Sequence, residues 1–350
     1  IRLAAMFHNG EGVAKNAQEA FKWYSAAALQ GHAEAQFNVG RSYFFGEGVS
    51  QDKAKAAEWF QKAAELGDAP AQSNLASVLQ TGEGVAKNVA EAYKWKRAAA
   101  LQGFVQAQFT VGASYFLGEG VPQDKAKAAE WYRKAAEQGH ALAQFYLGSL
   151  LHNGEGVAKN FAEAFKWYNA AAIQGHVTAQ LNVGAAYFAG EGVPEDKAKA
   201  AEWFRKAAEQ GQALAQLYLG DLLHNGEFVA KNAPEAFKWL HASALQGNAQ
   251  AQFYVGTLYF AGEGVPEDKA KAAEWFRKAA KQGLAPGQNN LGLMLYRGDG
   301  VPMDKSEGKK WLKAAARQAD DNLRRVMVED PDLAKIISQD DELKRLLQKK

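Results

Sequence analysis

Residues 32–67 read HAEAQFNVGRSYFFGEGVSQDKAKAAEWFQKAAELG. Apolar residues recur at helical spacing over His32–Phe45, the run Gly46-Glu47-Gly48-Val49 breaks that pattern, Lys53–Leu66 resumes it, and Gly67 ends it. Two helices of about three and a half turns each fit those lengths. Outward in both directions the stretch repeats. Trp23, Trp59, Trp95, Trp131, Trp167, Trp203, Trp239, Trp275 and Trp311 are all the tryptophans of the chain, and every interval is 36 residues. The first loop glycine keeps the same step from Gly10 to Gly298. Chance does not set every tryptophan of a protein in one register. The chain is an all-α array of nine helical hairpins, with no linker between copies.

Local signals agree with the hairpin. The second helix has an Asn or Asp at its N-cap position in every copy: Asn16, Asp52, Asn88, Asp124, Asn160, Asp196, Asn232, Asp268 and Asp304. In the Asn copies Glu19, Glu91, Glu163 and Glu235 follow three residues on, which predicts a reciprocal capping box. Gly46, Gly67 and their copies suit the left-handed residue that closes a helix. One such hairpin cannot bury both its apolar faces, so neighbours must stack. The recurrent small residue of the first helix (Gly40, Ala76, Gly112, Gly148, Gly184, Gly220, Gly256, Gly292) allows close approach. Trp and the residue after it, as in Trp59-Phe60, fill the space between hairpins.

A second period runs at twice the first. Lys22, Glu58, Lys94, Glu130, Lys166, Glu202, Lys238, Glu274 and Lys310 alternate in sign, and Glu19, Lys55, Glu91 and their copies three residues earlier alternate inversely. Pairing within each helix at i, i+3 and between stacked copies is expected, with register rather than stability as its role.

Composition narrows the function classes. The apolar share is 47% and the formal net charge is +2, with both signs spread along the chain. Neither nucleic acid nor an anionic membrane is expected as a partner, and no run approaches the roughly 20 apolar residues of a membrane span. The absence of cysteine excludes disulfides, zinc–thiolate sites and thiol catalysis, and leaves the compartment open between cytoplasm and periplasm or secretion. The chain opens at Ile1 partway through a repeat, so an N-terminal segment, with any signal peptide, is expected to precede it.

No catalytic constellation stands outside the repeat. The Gly-Glu-Gly-Val loops follow helices, lack the Lys-Ser/Thr of a phosphate-binding loop and occur as structural turns. His8, His152 and His224 share one register, but copies two repeats apart lie roughly 20 Å apart at about 10 Å per layer, too far to share a metal with bonds of about 2 Å. His32, His140 and His176 suit a loop or cap role. No metal, no cofactor and no catalytic residue is expected.

Internal comparison separates scaffold from site. Gln36, Val39, Gly40 and Tyr43 hardly vary from copy to copy and share one side of the first helix, whereas the positions of Glu34, Asn38, Arg41 and Phe45 vary most and draw a stripe on the other. Along the array that stripe offers Glu34, Asn38 and Arg41; Asn74, Ser77 and Thr81; Leu142, Tyr146 and Asn153; Leu214, Tyr218, Asp221 and Asn225; then Gln250, Tyr254 and Thr257. Tyrosine among adaptable polar residues is the composition of recognition surfaces. Tyr146, Tyr218 and Tyr254 are expected to be the strongest part of a protein- or peptide-binding groove, in places where Asn38, Asn74, Asn182 and Asn290 show that the scaffold does not require tyrosine.

The pattern A-Q-x-x-[LV]-G-x-x-Y-x-x-G-x-G-V-x-x-D-x-x-K-A-x-x-W-[YF]-x-K-A-A-x-Q-G resembles the Sel1-like repeat, a relative of the tetratricopeptide repeat. The resemblance covers residues 1–318 and implies a right-handed α/α superhelical solenoid whose first helices line the concave side. It also implies an adaptor or scaffold, as in bacterial envelope and host-contact processes, rather than an enzyme. Phe228 in place of the second loop glycine, Lys96 in place of the aromatic after Trp95, and Ala319 in place of the terminal glycine depart from the pattern. A cysteine-rich branch has penicillin-binding members, so the alternative is a penicillin-binding or peptidoglycan-processing hydrolase. Residues 319–350 carry amphipathic segments at Leu323–Val328 and Leu333–Leu347, split at Asp330-Pro331, and are expected to cap the last repeat.

If the repeated tryptophan is core, Trp167→Ala costs on the order of 3–5 kcal/mol. A loss below about 1 kcal/mol in denaturant titration inverts the assignment of inside and outside.

Overall fold

The architecture is taken from a computed structural model that describes residues 1–226 and 229–348. Among these residues there are twenty-one α-helices and no strand. The contacts divide the chain into two units, Ile1–His176 and Val177–Lys350. The first holds ten helices, from Arg2–Asn9 to Phe161–Ile173, and the second eleven, from Val177–Ala189 to Asp341–Gln348. Within each unit the repeats form an α/α solenoid in which every helix packs on its neighbours in sequence. None of the described helices is long and apolar enough to cross a membrane.

Each second helix begins where its cap residue places it. The Asn or Asp side chain accepts from the backbone N–H three residues on in all nine copies, as Asp52 does from Lys55 at 3.0 Å. The expected reciprocal half of the capping box does not form. The cap residue's own N–H is already bonded to the first helix, Asn88 to Leu79 O at 2.8 Å and Asn160 to Leu151 O at 2.9 Å. Glu163 takes Arg133 and the Trp167 indole instead, whereas Glu91 accepts from the Asn88 side chain.

The two loop glycines serve different needs. Gly46 closes its helix at φ 76°. Gly48 lies so close to the preceding repeat that a Cβ there would stand 2.1 Å from the Ala17 carbonyl oxygen. Phe228, at the equivalent position of the seventh copy, lies outside the described residues.

Inside each hairpin the small residue of the first helix meets the residue after the tryptophan. A Cβ on Gly40, Gly112, Gly148, Gly184 or Gly256 would fall 2.6–2.8 Å from the ring of Phe60, Tyr132, Tyr168, Phe204 or Phe276. Phe60, Tyr132 and Phe204 are each 1% exposed. The tryptophans lie nearer the rim than expected. Trp131, Trp167, Trp239 and Trp275 are buried, Trp59, Trp95, Trp203 and Trp311 half-buried, and Trp23 is 41% exposed. A lysine one turn on lies over the indole in several copies, Lys62 at 4.3 Å and Lys278 at 3.6 Å from the ring centroid. The ring after the tryptophan, not the tryptophan, is the centre of the hairpin.

Repeats are joined by buried glutamine. Gln72 donates to Ala64 O at 3.1 Å, at the end of the preceding second helix, and accepts from Gln102 Nε2 at 2.9 Å, at the end of its own. The same side-chain pair, thirty residues apart, recurs as Gln138–Gln108, Gln174–Gln144, Gln210–Gln180, Gln246–Gln216, Gln282–Gln252 and Gln318–Gln288. Uncharged groups thus contribute to register beside the alternating charges. Lys55, Lys127, Lys199 and Lys271 turn to their own N-cap aspartates. Four ion pairs between repeats, Lys53–Glu83, Lys125–Glu155, Arg133–Glu163 and Arg205–Glu235, are again thirty residues apart. Neighbouring second helices are offset, so residues at the same repeat position do not meet.

After the last repeat come three helices rather than two segments, Asp321–Glu329, Pro331–Ser338 and Asp341–Gln348. Asp340 caps the third by accepting from Leu343 N, and so breaks the stretch that reads as one helix. Met327, Leu333, Ile336 and Leu343 are buried in one cluster with Leu312, Ala315 and Ala316 of the last repeat.

One rung of the glutamine ladder is missing. Gln36 donates to Ala28 O, but its Oε1 is buried without a partner, because the residue thirty positions on is Leu66, which is 57% exposed. Leu66→Gln is expected to raise the unfolding free energy by about 0.5–1.5 kcal/mol. An unchanged or lowered denaturation midpoint would contradict the role given to the ladder.

Candidate functional site

The first helices carry the variable stripe, and their packing decides what it presents. In Ala213–Asn225, Gln216, Leu217, Leu219, Gly220, Leu222 and Leu223 are buried. Leu214 and Tyr218 are each 42% exposed, and Asn225 is exposed beside half-buried Asp221. The separation of scaffold from stripe holds on this helix.

In the second unit several of the expected groove residues come together. Asn225 Nδ2 donates to Asp221 Oδ1 at 3.3 Å. Tyr254 of the next repeat is half-buried, and its hydroxyl lies near enough to Asp221 and Gln250 to feel both. Burial, with the Asp221 carboxylate second, raises the pKa of that phenol above its ordinary value, so it stays a donor at neutral pH. Tyr218 lies against Phe204, ring centroids 5.2 Å apart. The Thr257 hydroxyl donates to Phe253 O of its own helix at 3.1 Å.

In the first unit the stripe is more mixed. Glu34 is exposed, while Asn38 donates back to Glu34 O at 2.8 Å and the Arg41 guanidinium lies 6.0 Å from the Phe37 ring. Leu142 is 43% exposed, and Asn153 pairs with Glu155 at 3.2 Å near the loop. Tyr146, like Tyr218, lies against the ring of the preceding hairpin. It stacks on Tyr132 at 5.5 Å and 18°, and also meets Phe109 at 6.0 Å and Phe145 at 5.4 Å. Its ring therefore covers the buried centre of the preceding hairpin, as the Tyr218 ring does at Phe204.

His140 has a structural role. His140 Nδ1 accepts from Ala143 N at 3.2 Å and so caps its helix, and its ring stacks on Phe109 at 4.6 Å. Among the described residues no group of His, Asp or Glu is placed to hold a metal ion.

One feature of the first unit has only a faint sequence signal. Lys96 stands where other repeats have a core ring or leucine, and it is 7% exposed. Its Nζ donates to Ser114 Oγ at 3.4 Å. Burial pushes the ammonium below the usual lysine range, opposed by the charge of Glu119. Beside it a cavity of about 310 Å³ is lined by Ser73, Asn74, Ser77, Gln80, Phe104, Gln106 and Thr110. The legible sign was double: Lys96 for a ring, and Ala76 for the glycine that faces that ring in other copies.

Hairpins of this kind, stacked through small residues and buried glutamine, define a helical-repeat solenoid protein. The Sel1 repeat profile matches nine consecutive segments, 1–32, 33–68, 69–104, 105–140, 141–176, 177–212, 213–248, 249–284 and 285–320. The chain belongs to the Sel1 repeat family, whose members are typically protein-interaction scaffolds. Among solved structures it is similar to c5321, a protective antigen of uropathogenic Escherichia coli strains with an SLR fold. The identity is 36% over 97% of this chain and 79% of that one, with a TM-score of 0.70. A Sel1 repeat protein from Oxalobacter formigenes is 32% identical over 91% of this chain and 89% of that one, with a TM-score of 0.63. No curated protein matches the chain.

Because the charged form of Lys96 is disfavoured in the fold, its folded pKa lies below the unfolded value. The penalty is full at pH values below the folded pKa and fades as pH rises toward the unfolded one. Lys96→Met is expected to be more stable than the parent at pH 7, with the difference in denaturation midpoint shrinking toward pH 10.5. A difference that grows with pH would contradict the burial of a charged ammonium.

Proposed function

We propose that this protein is a non-catalytic interaction scaffold that binds a peptide or protein partner on the first-helix faces of its repeats. One observation carries the reading: Tyr218 and Leu214 are exposed on a helix whose other face is buried. Apolar and aromatic groups of that size on an ordered surface, flanked by Asp221, Asn225, Gln250 and Tyr254, suit a partner's side chains. The groove proposed for the first unit comprises Glu34, Asn38, Arg41, Leu142, Tyr146 and Asn153. In the second it comprises Leu214, Tyr218, Asp221, Asn225, Gln250, Tyr254 and Thr257.

The near-balanced charge, +2 over the chain, supports a protein partner over nucleic acid. The hydrolase alternative has no observation behind it among the described residues. The C-terminal helices beyond residue 318 are proposed as the cap of the array, on the strength of their shared cluster with Leu312.

Two substitutions in the second unit test the groove. Tyr218→Asn removes an exposed ring, and Tyr254→Phe keeps the ring but loses the hydroxyl near Asp221. Both are expected to melt close to the parent. Loss of an interface tyrosine often costs about 2 kcal/mol or more, roughly thirtyfold in affinity at about 1.4 kcal/mol per decade. Tyr218→Asn should weaken binding of a partner identified by affinity capture and mass spectrometry by at least about that much. Wild-type affinity in both variants would move the site to the second-helix face or the C-terminal helices.

A further inference from the structure

Eight of the nine hairpins place a ring or leucine after the tryptophan: Tyr24, Phe60, Tyr132, Tyr168, Phe204, Leu240, Phe276 and Leu312, all buried. The third hairpin places Lys96 there, and it too is buried, at 7% exposed. Among the described residues Lys96 makes no ion pair, and its one hydrogen bond is the 3.4 Å contact to the Ser114 hydroxyl. Glu119 is close enough to act on its charge, but that carboxylate accepts from Gln80 at 2.9 Å. A buried ammonium lacking a counter-ion is strongly unfavourable. A repeat retaining one has a cation ready for an anion from outside.

The space beside Lys96 has the matching chemistry. The slim lysine chain stands where rings fill other hairpins, and the adjoining cavity is about 310 Å³. It opens among first-helix residues of two neighbouring repeats, Ala69–Thr81 and Val105–Leu117. Asn74 and Thr110 turn part of their hydrogen-bonding capacity to Pro70 O and Ala107 O. The hydroxyls of Ser73 and Ser77 and the amide of Gln106 add neutral donors around the single cation. One cation among neutral donors, with Glu119 nearby, suits a singly charged, planar anion and disfavours a phosphate dianion.

We propose that the cavity lined by Lys96, Ser73, Ser77 and Gln106 is a binding site for a carboxylate of a peptide ligand, from an acidic side chain or a free C-terminus. This rests on the reading of the first-helix face as the binding surface, and assigns one anchor to it in the first unit. The bound carboxylate would pair with the Lys96 ammonium and accept from the lining hydroxyls, converting an unpaired buried charge into a paired one.

Calorimetric titration with three capped peptides tests it. The first is acetyl-Gly-Glu-Gly-amide, with a side-chain carboxylate. The second is acetyl-Gly-Ala-Gly with a free terminal carboxylate, and the third is its neutral amide. At least one acidic peptide is expected to bind ten times more tightly than the neutral one, and which one does so identifies the carboxylate source. Lys96→Met should abolish that preference. So should the pair Ala76→Gly with Lys96→Tyr, which rebuilds the small-residue-and-ring contact of the other hairpins and safeguards folding. Equal binding of all three peptides, or a preference surviving in either variant, overturns the proposal. Such a failure leaves the groove of the second unit untouched, since Tyr218 and Tyr254 test that separately.

Discussion

The buried glutamine of the first helix is the interaction on which the rest of each unit depends. A primary amide offers two donors and an acceptor, and in this fold they reach three segments at once. Gln144 sits on its own helix, donates to Ala136 O of the preceding repeat at 3.1 Å and accepts from Gln174 at the end of its own repeat at 2.8 Å. Because such an amide is buried, leaving it unpaired is penalised more heavily than forming the bond is rewarded. Slipping one helix along its neighbour would strand these amides. The apolar contacts alone, many of them alanine against alanine, discriminate far less between registers.

Around that polar constraint the apolar packing is close and repetitive. Glycine on the first helix admits the ring of the second, and in the third hairpin Ala76 and Lys96 change together. With the buried side of each helix committed in this way, the opposite side is left free to vary. A scaffold whose stability is held in Gln, Gly and one ring per repeat tolerates Tyr218 in one copy and Asn182 in another. The proposed binding face follows from that division.

Much of this was legible in the sequence. Period, helix limits and N-caps are all local properties, and each is written in the residues that produce it. Four features were not. Glu163 left its capping box because the Asn160 N–H already had a carbonyl partner on another helix. The alternating charges did not face one another because stacked second helices are offset. Tyr146 and Tyr218 each lie against a buried ring of the preceding hairpin, Tyr132 and Phe204, a contact that spacing within one helix does not show. Asp340 broke a segment that hydrophobic periodicity alone joins. Each depends on a partner distant in sequence or on a capping choice that spacing alone does not decide. The stripe itself was visible through internal comparison, but the cavity at Lys96 required the placement of two neighbouring first helices.

The division between a fixed scaffold face and a free recognition face is tested most directly by scanning every position for abundance and for partner binding in parallel. The account predicts that substitutions at Gln72, Gln144, Gly184 and Phe204 lower abundance, and binding only in proportion. Substitutions at Tyr218, Leu214 and Asn225 should lower binding at unchanged abundance. Binding-specific losses concentrated on the second helices, with the first-helix stripe neutral, would contradict it.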